Sequence, residues 1–594
     1  MCGLMAAFGS AGAAPIDLRA GLAAMQARGP DGEGLWQDGA AVLGHRRLAI
    51  LDLDARAAQP MHAADGRYVI VFNGEIYNFR ELRRDLVADG HVFRTESDTE
   101  VLLALFARHG EHMLPKLHGM FAFVVWDRQR QRGFAARDPY GIKPLYLART
   151  RQGVVLASQV KALLATGLVA PEPDAEGQAG FWMLGSVPEP HTWYRTIRAL
   201  PAGHCAWIDN GAVTHTACWH DIGSAWREAP PQVMPDDILQ ERVRAALRES
   251  VDRHLVADVP VGVFLSGGID SGALAGLMVE AGARDLHGIT IAYDEFAGSE
   301  QDEAPAAALI ARHYGITHHV RRVGREEFLS DLPRILASMD QPSIDGINTW
   351  YASKAVAELG LKVVVSGVGG DELFQGYGIF RQLPPLTARW RALALLPGVL
   401  PLARMAGSWR ARRSGNARWR HAADWLRSLE GAWWLRRGLF APDAMPGDAL
   451  AQAATQGFDP RRQVWAMTGA LPGDPRLALG QIESMTYLRN QLLRDSDWAS
   501  MAHGVELRTP LVDAYLLSCL QPLLHGFKRF PGKRLLACAP ANRLPDSIIQ
   551  RRKTGFAIPV SRWLAEAGIA VDDGSRSWAR HIAATWSAMD GGAA

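Results

Sequence analysis

Cysteine is scarce in this chain: there are five in 594 residues, at Cys2, Cys205, Cys218, Cys519 and Cys538. No two are spaced CxxC, so neither a disulfide framework nor a structural zinc site is expected, and a reducing compartment fits best. An excess of charge is missing too. Lys+Arg is 64 against 62 for Asp+Glu, a net of +2, which gives no footing to a nucleic-acid partner held by bulk charge. Long hydrophobic runs are absent. The most apolar internal stretch, Ala392 to Ala403, contains Pro397 and Pro401 and falls short of the roughly 20 residues a membrane span needs. The N-terminal MCGLMAAFGSAGAAP is apolar and rich in small residues, but it has no positive leading segment and Gly3, Gly9 and Gly12 interrupt it. These readings lead to the expectation of a cytoplasmic protein. Hydrophobic residues at 48% and charged residues at 21% match an ordinary globular chain, which excludes a mainly disordered one.

The sequence divides into two halves. Up to about Pro230 it reads as short strands at 41–53, 67–78, 120–127, 132–138, 144–149 and 153–159, with one helix over Asp98–His109 that Ser97 or Asp98 can cap. This is an antiparallel α+β pattern, with a loop at 170–178 and a linker punctuated by Pro230, Pro231 and Pro235. Beyond it the period changes. A helix over Asp237–Asp252 precedes strands at 259–265, 286–293 and 361–367, with apolar helices between them, the alternation of a doubly wound parallel sheet. Residues 385–480 read as Trp- and Arg-rich helices without an obvious site.

Four positions in the first half invite chemistry. Cys2 becomes N-terminal if Met1 is removed, and its own α-amine, with a reference pKa of about 8, would then sit beside the thiol as a base. Asn73 and Gly74 end a predicted strand, where a side-chain amide and a backbone N–H can hold an oxyanion, although Asn-Gly is also an ordinary turn. Arg47 opens the apolar segment LAIL, where a buried guanidinium calls for an anionic partner. Asp98 stands at a helix start, where it could equally be a cap.

In the second half, Ser266-Gly267-Gly268-Ile269-Asp270-Ser271 follows an apolar strand and opens a helix. Glycines there let backbone N–H groups approach a phosphate, and a helix N-terminus favours the anion. No lysine follows, so the loop is not of the Walker type. Asp270 inside the loop and Asp371 in VVVSGVGGDELFQGY (363–377) are candidate Mg²⁺ ligands. Ser366 and Gly367 fall at the carboxyl end of a neighbouring strand, where open α/β sheets bind ligands. Lys553, in LPDSIIQRRKTGFAIPVSRW (544–563), could neutralise charge on a leaving pyrophosphate.

Taken together, Cys2-Gly3, HRRLAILDL, QPM, FNGEIYN, SDTEV, GMFAFVVWD and RDPYGIKPLY resemble the class II glutamine amidotransferase domain. With the loop at 266–271 and the segments 363–377, 493–513 and 544–563, nearly the whole chain resembles the glutamine-hydrolysing asparagine synthetases. The resemblance implies an αββα glutaminase domain over 2–215, and an ATP-pyrophosphatase domain with helical additions over 236–594. It implies Cys2 as nucleophile, Asn73 and Gly74 as oxyanion hole, and Arg47, Glu75 and Asp98 as the glutamine-binding residues. It places ATP against Leu265, Ser266, Gly267, Gly268, Asp270, Ser271, Ile291, Ser366 and Gly367. It implies glutamine, ATP, Mg²⁺ and an acceptor carboxylate such as aspartate as the small molecules, and a homodimer.

One departure stands out. The family pattern Ser-Gly-Glu-Gly is here Ser366-Gly367-Val368-Gly369, and valine can neither accept a proton nor orient ammonia. The acceptor could therefore be a sugar acid, a peptide or another metabolite. A cyclase of the β-lactam synthetase kind is disfavoured by the retained Cys2, Arg47, Asn73 and Asp98, and a non-catalytic scaffold by the near-complete catalytic set. Trp390, Trp409, Trp419, Trp425, Trp433 and Trp434, with flanking arginines, would suit a membrane surface, but packing between buried helices is the expectation for them.

Overall fold

A computed structural model describes the chain apart from residues 1, 11, 13–15, 233, 447–458, 552–558, 570–573 and 592–594. The first half folds into two six-stranded antiparallel sheets. In spatial order one sheet runs Ile197–Ala199, Tyr146–Arg149, Gly153–Ala157, Gly3–Gly9, Ala41–Arg47 and Gly32–Asp38. The other runs Ala212–Cys218, His204–Asp209, Arg132–Arg137, Gly119–Asp127, Tyr68–Ile76 and Met61–His62. Leu4, Ala6 and Phe8 from one sheet interleave with Val69, Val71, Ala122 and Val124 from the other in a single core. Period-2 side-chain alternation makes this possible, because the opposite faces remain for helices. Helices Phe79–Ala88 and Asp98–His109 cover the second sheet, and Arg19–Ala24 and Val160–Ala165 pack beside the first.

The second half is built on a five-stranded sheet in the order Thr317–Val323, His287–Tyr293, Val261–Phe264, Val363–Val365 and Glu506–Arg508, with every pairing parallel. Ile289, Ile291 and Val364 face one core and Val263, Leu265 and Val365 the other, so both faces are covered, as parallel sheets require. The sequence pattern locates three of these strands. Thr317–Val323 is half-polar and Glu506–Arg508 is three residues long, so neither carries the apolar run of a buried parallel strand.

The predicted strand over 41–53 ends at Arg47. Beyond it, side chains capture the backbone that would have continued the ladder: Asp31 accepts from Ala49 N at 2.8 Å, and Asp258 from Asp52 N at 2.7 Å. Helix Asp98–His109 has its predicted bounds, and Ser97 is its cap, accepting from Glu100 N at 3.3 Å. That leaves the Asp98 carboxylate to other work.

Candidate functional site

Cys2 immediately precedes the inner strand Gly3–Gly9, while Asn73 and Gly74 lie on Tyr68–Ile76 of the facing sheet. The sheet sandwich therefore brings the two segments together. Cys2 N donates to Asn73 Oδ1 at 2.9 Å, and the thiol lies 3.9 Å from the Leu48 carbonyl. Asn73 is fully buried, and its Nδ2 has no hydrogen-bond partner among the described residues. An unsatisfied buried donor costs stability unless a ligand oxygen meets it. Gly74 has φ 154°, and a Cβ there would stand 2.1 Å from the Met120 carbonyl oxygen, so only glycine fits.

Arg47 ends its strand rather than opening one, and its guanidinium donates to the Asp52 and Asp54 carbonyls on the arc that follows. Asp98 accepts from Ile76 N at 3.0 Å, and burial, reinforced by the Glu506 charge, pushes its carboxyl up to about 7. Glu75 is buried as well. Burial first, and Glu506 second, hold it well above the usual carboxylate range, with Arg508 Nη2 3.6 Å away. Cys2, Arg47, Gly74, Glu75 and Asp98 line one cavity of about 30 Å³, together with Gln59 and Thr99.

The second constellation lies at the carboxyl ends of the parallel strands. Strand Val261–Phe264 leads into the 266–268 turn and helix Ile269–Glu280, whose N-terminus no side chain caps. The Ser266 and Ser271 hydroxyls are 2.9 Å apart, Ser271 Oγ accepts from Ser266 N at 3.1 Å, and Ser266 Oγ accepts from Gly268 N at 3.2 Å. The turn thus ties itself with its own hydroxyls. The 366–371 segment packs directly against it: a Cβ on Gly367 would lie 2.9 Å from Asp270 Cβ and 3.0 Å from Ser271 N. Asp270 and Asp371 converge on one cation, Lys533 Nζ, at 2.6 and 2.9 Å. Val368 is half-buried against the apolar core. Leu265 and Ile291 are both buried, Leu265 in the core that holds Val263 and Val365 and Ile291 in the one that holds Ile289 and Val364. Lys553 lies outside the described residues.

Residues 1–219 match the model of the glutamine amidotransferase domain, and residues 242–586 match that of asparagine synthase. The chain belongs to the asparagine synthetase family. A candidate glutamine-hydrolysing asparagine synthetase of Mycobacterium tuberculosis is 34% identical over 95% of this chain and 88% of its own length. Asparagine synthetase 1 of Bacillus subtilis is 31% identical over 90% of this chain and 83% of its own length. A protein named amidase chry2 from Gibberella zeae is 33% identical over 60% of this chain and 54% of its own length.

Reading the residues one by one misses several groups in this chain. Arg28 donates from Nε to the Cys2 carbonyl at 3.1 Å, and pairs through both terminal nitrogens with Asp497 at 2.6 and 3.0 Å. Both are buried, so each needs the other, and the pair ties the Cys2 backbone to the synthetase half. Arg508 binds Glu506 at 2.7 Å while its carbonyl accepts from Ser366 N at 2.8 Å. That one strand therefore touches both sites. Arg551 reaches the Gly267 carbonyl at 3.4 Å, in the segment from which only Lys553 is singled out by sequence.

A third feature is lined by no residue of the 266–271 loop. A cavity of about 400 Å³ is lined by Asp345, Asn348, Arg436, Tyr487, Gln491 and Trp578, among others. Two lines of contact lead to it. Tyr293, at the end of its strand, donates to Asn348, and Glu372, next to Asp371, accepts from Tyr377 OH at 2.9 Å, with the Arg437 guanidinium 4.4 Å from the Tyr377 ring and 4.0 Å from the Tyr487 ring. One wall is a π-helix, Ser484–Leu493. This rare geometry is usually found at functional sites.

Proposed function

We propose that this chain hydrolyses glutamine at the Cys2 site and uses the ammonia to amidate a carboxylate that ATP activates at the 266–271 loop. The observation that carries the reading is the convergence of Cys2, Arg47, Gly74, Glu75 and Asp98 on one cavity beside the unsatisfied Asn73 Nδ2. Burial raises the Cys2 thiol, so it needs a base, and the α-amine freed by loss of Met1 takes the proton. Sulfur attacks the glutamine side-chain amide, the oxyanion meets Asn73 Nδ2 and Gly74 N–H, ammonia leaves, and water releases glutamate from the thioester. Arg47 holds the substrate carboxylate, Asp98 its ammonium, and Glu75 helps to place it.

At the second site the acceptor carboxylate attacks the α-phosphorus of ATP and releases pyrophosphate. Ammonia then displaces AMP from the acyl-adenylate. The hard oxygens of Asp270 and Asp371 face a common point, marked by Lys533, and fit Mg²⁺, which would supply charge neutralisation for the pyrophosphate. Lys533 and Arg551 add positive charge beside the loop.

For the family the acceptor is aspartate. Two features of this chain favour a larger one: Val368 in place of the usual glutamate, and the cavity of about 400 Å³, a size suited to ligands well beyond a single amino acid. Similarity to a relative named as an amidase fits the same direction. The test is AMP and pyrophosphate release with glutamine, ATP and Mg²⁺, with and without aspartate, and with Cys2→Ala as control. Glutamate release without aspartate-dependent AMP is expected. Asparagine formed at ordinary turnover rates would return the acceptor to aspartate.

The pH dependence follows from Asp98. Its carboxyl, raised to about 7, must be ionised to hold the glutamine ammonium. Below that pH it is protonated, so kcat/KM for glutamine should fall about tenfold per unit as the solution is acidified, reporting the free enzyme. In Asp98→Asn the component near pH 7 should vanish along with most of the affinity, leaving only the limb of the α-amine, whose reference value is about 8. A component near pH 7 that survives the substitution would assign it to another group.

A further inference from the structure

The helical region after the nucleotide loop contains a surface that the proposed chemistry does not use. From Leu373 to Ala423 there is no Asp or Glu, while nine arginines occur: Arg381, Arg389, Arg391, Arg404, Arg410, Arg412, Arg413, Arg418 and Arg420. Helix Val399–Ser414 buries only Ala411 of its 16 residues. It packs on the helix Arg418–Trp425, where a Cβ on Gly407 would stand 2.3 Å from the Trp419 carbonyl. The expected packing of the tryptophans holds for Trp425, Trp433 and Trp434, which are buried, and fails for Trp409, which is 60% exposed.

The exposed apolar residues fall within one short stretch, 395–409. Leu395 is 84% exposed and Leu396 55%, on the turn that precedes the helix; Leu402 is 61% and Met405 65%. Leu402, Met405 and Trp409 are spaced by three and four residues and so share one helix face. Arg412 and Arg413 continue that face one turn further on, where Arg413 lies 5.4 Å from the Trp409 ring. Arg389, Arg410, Arg412 and Arg413 have no carboxylate partner among the described residues. Single exposed leucines are ordinary, whereas several gathered on one element mark an interaction surface.

We infer that this tip docks on an anionic membrane surface, with Leu395, Leu396, Leu402 and Met405 in the interface and the arginines at the level of the head groups. Arginine side chains that continue an apolar face can keep their charged ends at the head-group level while their stems lie along it. No helix among the described residues is long and apolar enough to cross a membrane, so the contact is with the surface. A second copy is a poorer occupant, because a two-fold contact would bring two arginine-rich faces together, and the nearby Asp424 is already paired with Arg404. A nucleic acid would leave the apolar tip uncovered.

The experiment is co-sedimentation of the full chain with vesicles of phosphatidylcholine alone and of phosphatidylcholine mixed with phosphatidylglycerol. The protein should pellet with the anionic vesicles only, and less at high salt. Replacing Arg410, Arg412 and Arg413 together by glutamine should lower binding about a hundredfold, given the usual contribution of each basic residue at such a surface. Leu395→Asp with Leu402→Asp should abolish it while glutamine hydrolysis continues, since both side chains already face solvent. Protein left in the supernatant with anionic vesicles overturns the inference, as does binding that both variants retain. A concentration-dependent dimer in sedimentation velocity that the leucine variant dissolves, without vesicle binding, would assign the tip to a contact between copies and overturn it as well.

Discussion

Cys2→Ala should reduce glutamate release from glutamine by a factor on the order of 10⁶, and Asn73→Ala by about 10² to 10³ in kcat. The two losses differ because they remove different parts of one step. Without the sulfur no thioester forms, and whatever hydrolysis remains is that of water in a polar pocket. Without the Asn73 amide the thioester still forms, but the developing oxyanion keeps only the Gly74 N–H. The structure sharpens the second expectation. Asn73 Oδ1 already accepts from Cys2 N at 2.9 Å, so the side chain is fixed with Nδ2 pointing elsewhere and unsatisfied. A merely structural asparagine would have both ends paired, and its loss would then lower thermal stability while sparing kcat. Glutaminase kinetics and a melting curve on Asn73→Ala separate the cases: unchanged kcat with a lowered melting temperature would remove Asn73 from the oxyanion role.

Much of this site is legible in the sequence because its members are local. Asn73, Gly74 and Glu75 are consecutive, Asp98 opens a helix with clear bounds, and the 266–271 loop sits between a strand and a helix that periodicity finds. What stays hidden arises from contacts across the chain. Arg28 and Asp497 are distant in sequence, and nothing local to either announces a partner. Glu506 and Arg508 lie on a strand of three residues, too short to show a period, and their burial next to Glu75 comes from contact between two different sheets. The apolar LAIL after Arg47 makes the sequence pattern carry the strand on to residue 53. In the fold those residues pack through side chains while Asp31 and Asp258 take up the backbone, so hydrophobicity was read as pairing. For Trp409 the same error ran the other way, since an aromatic at helical spacing suggested a core that the fold does not build around it.

Lys533→Met should lower pyrophosphate release by about 10³, the scale of losing one cation that stabilises a transferring phosphoryl group. It should also make the stability of the protein depend on Mg²⁺. Lys533 Nζ stands 2.6 Å from Asp270 and 2.9 Å from Asp371, and its buried ammonium is held above the usual lysine range: burial alone would lower it, and the two carboxylates outweigh that. Removing the lysine leaves two carboxylates facing each other with one fewer counter-charge, a loss of about 3 kcal/mol by the general behaviour of buried pairs. A divalent cation bound between them would return the charge. The melting temperature of Lys533→Met should therefore rise on Mg²⁺ titration more steeply than that of the parent, because binding to the folded state alone stabilises it. Asp270→Asn added to Lys533→Met should abolish that response and regain part of the lost stability, since the repulsion goes with the charge. If Mg²⁺ stabilises the parent and both variants equally, the two aspartates do not form the metal site. The acid pair would then serve only to hold Lys533 in place against the 266–271 loop.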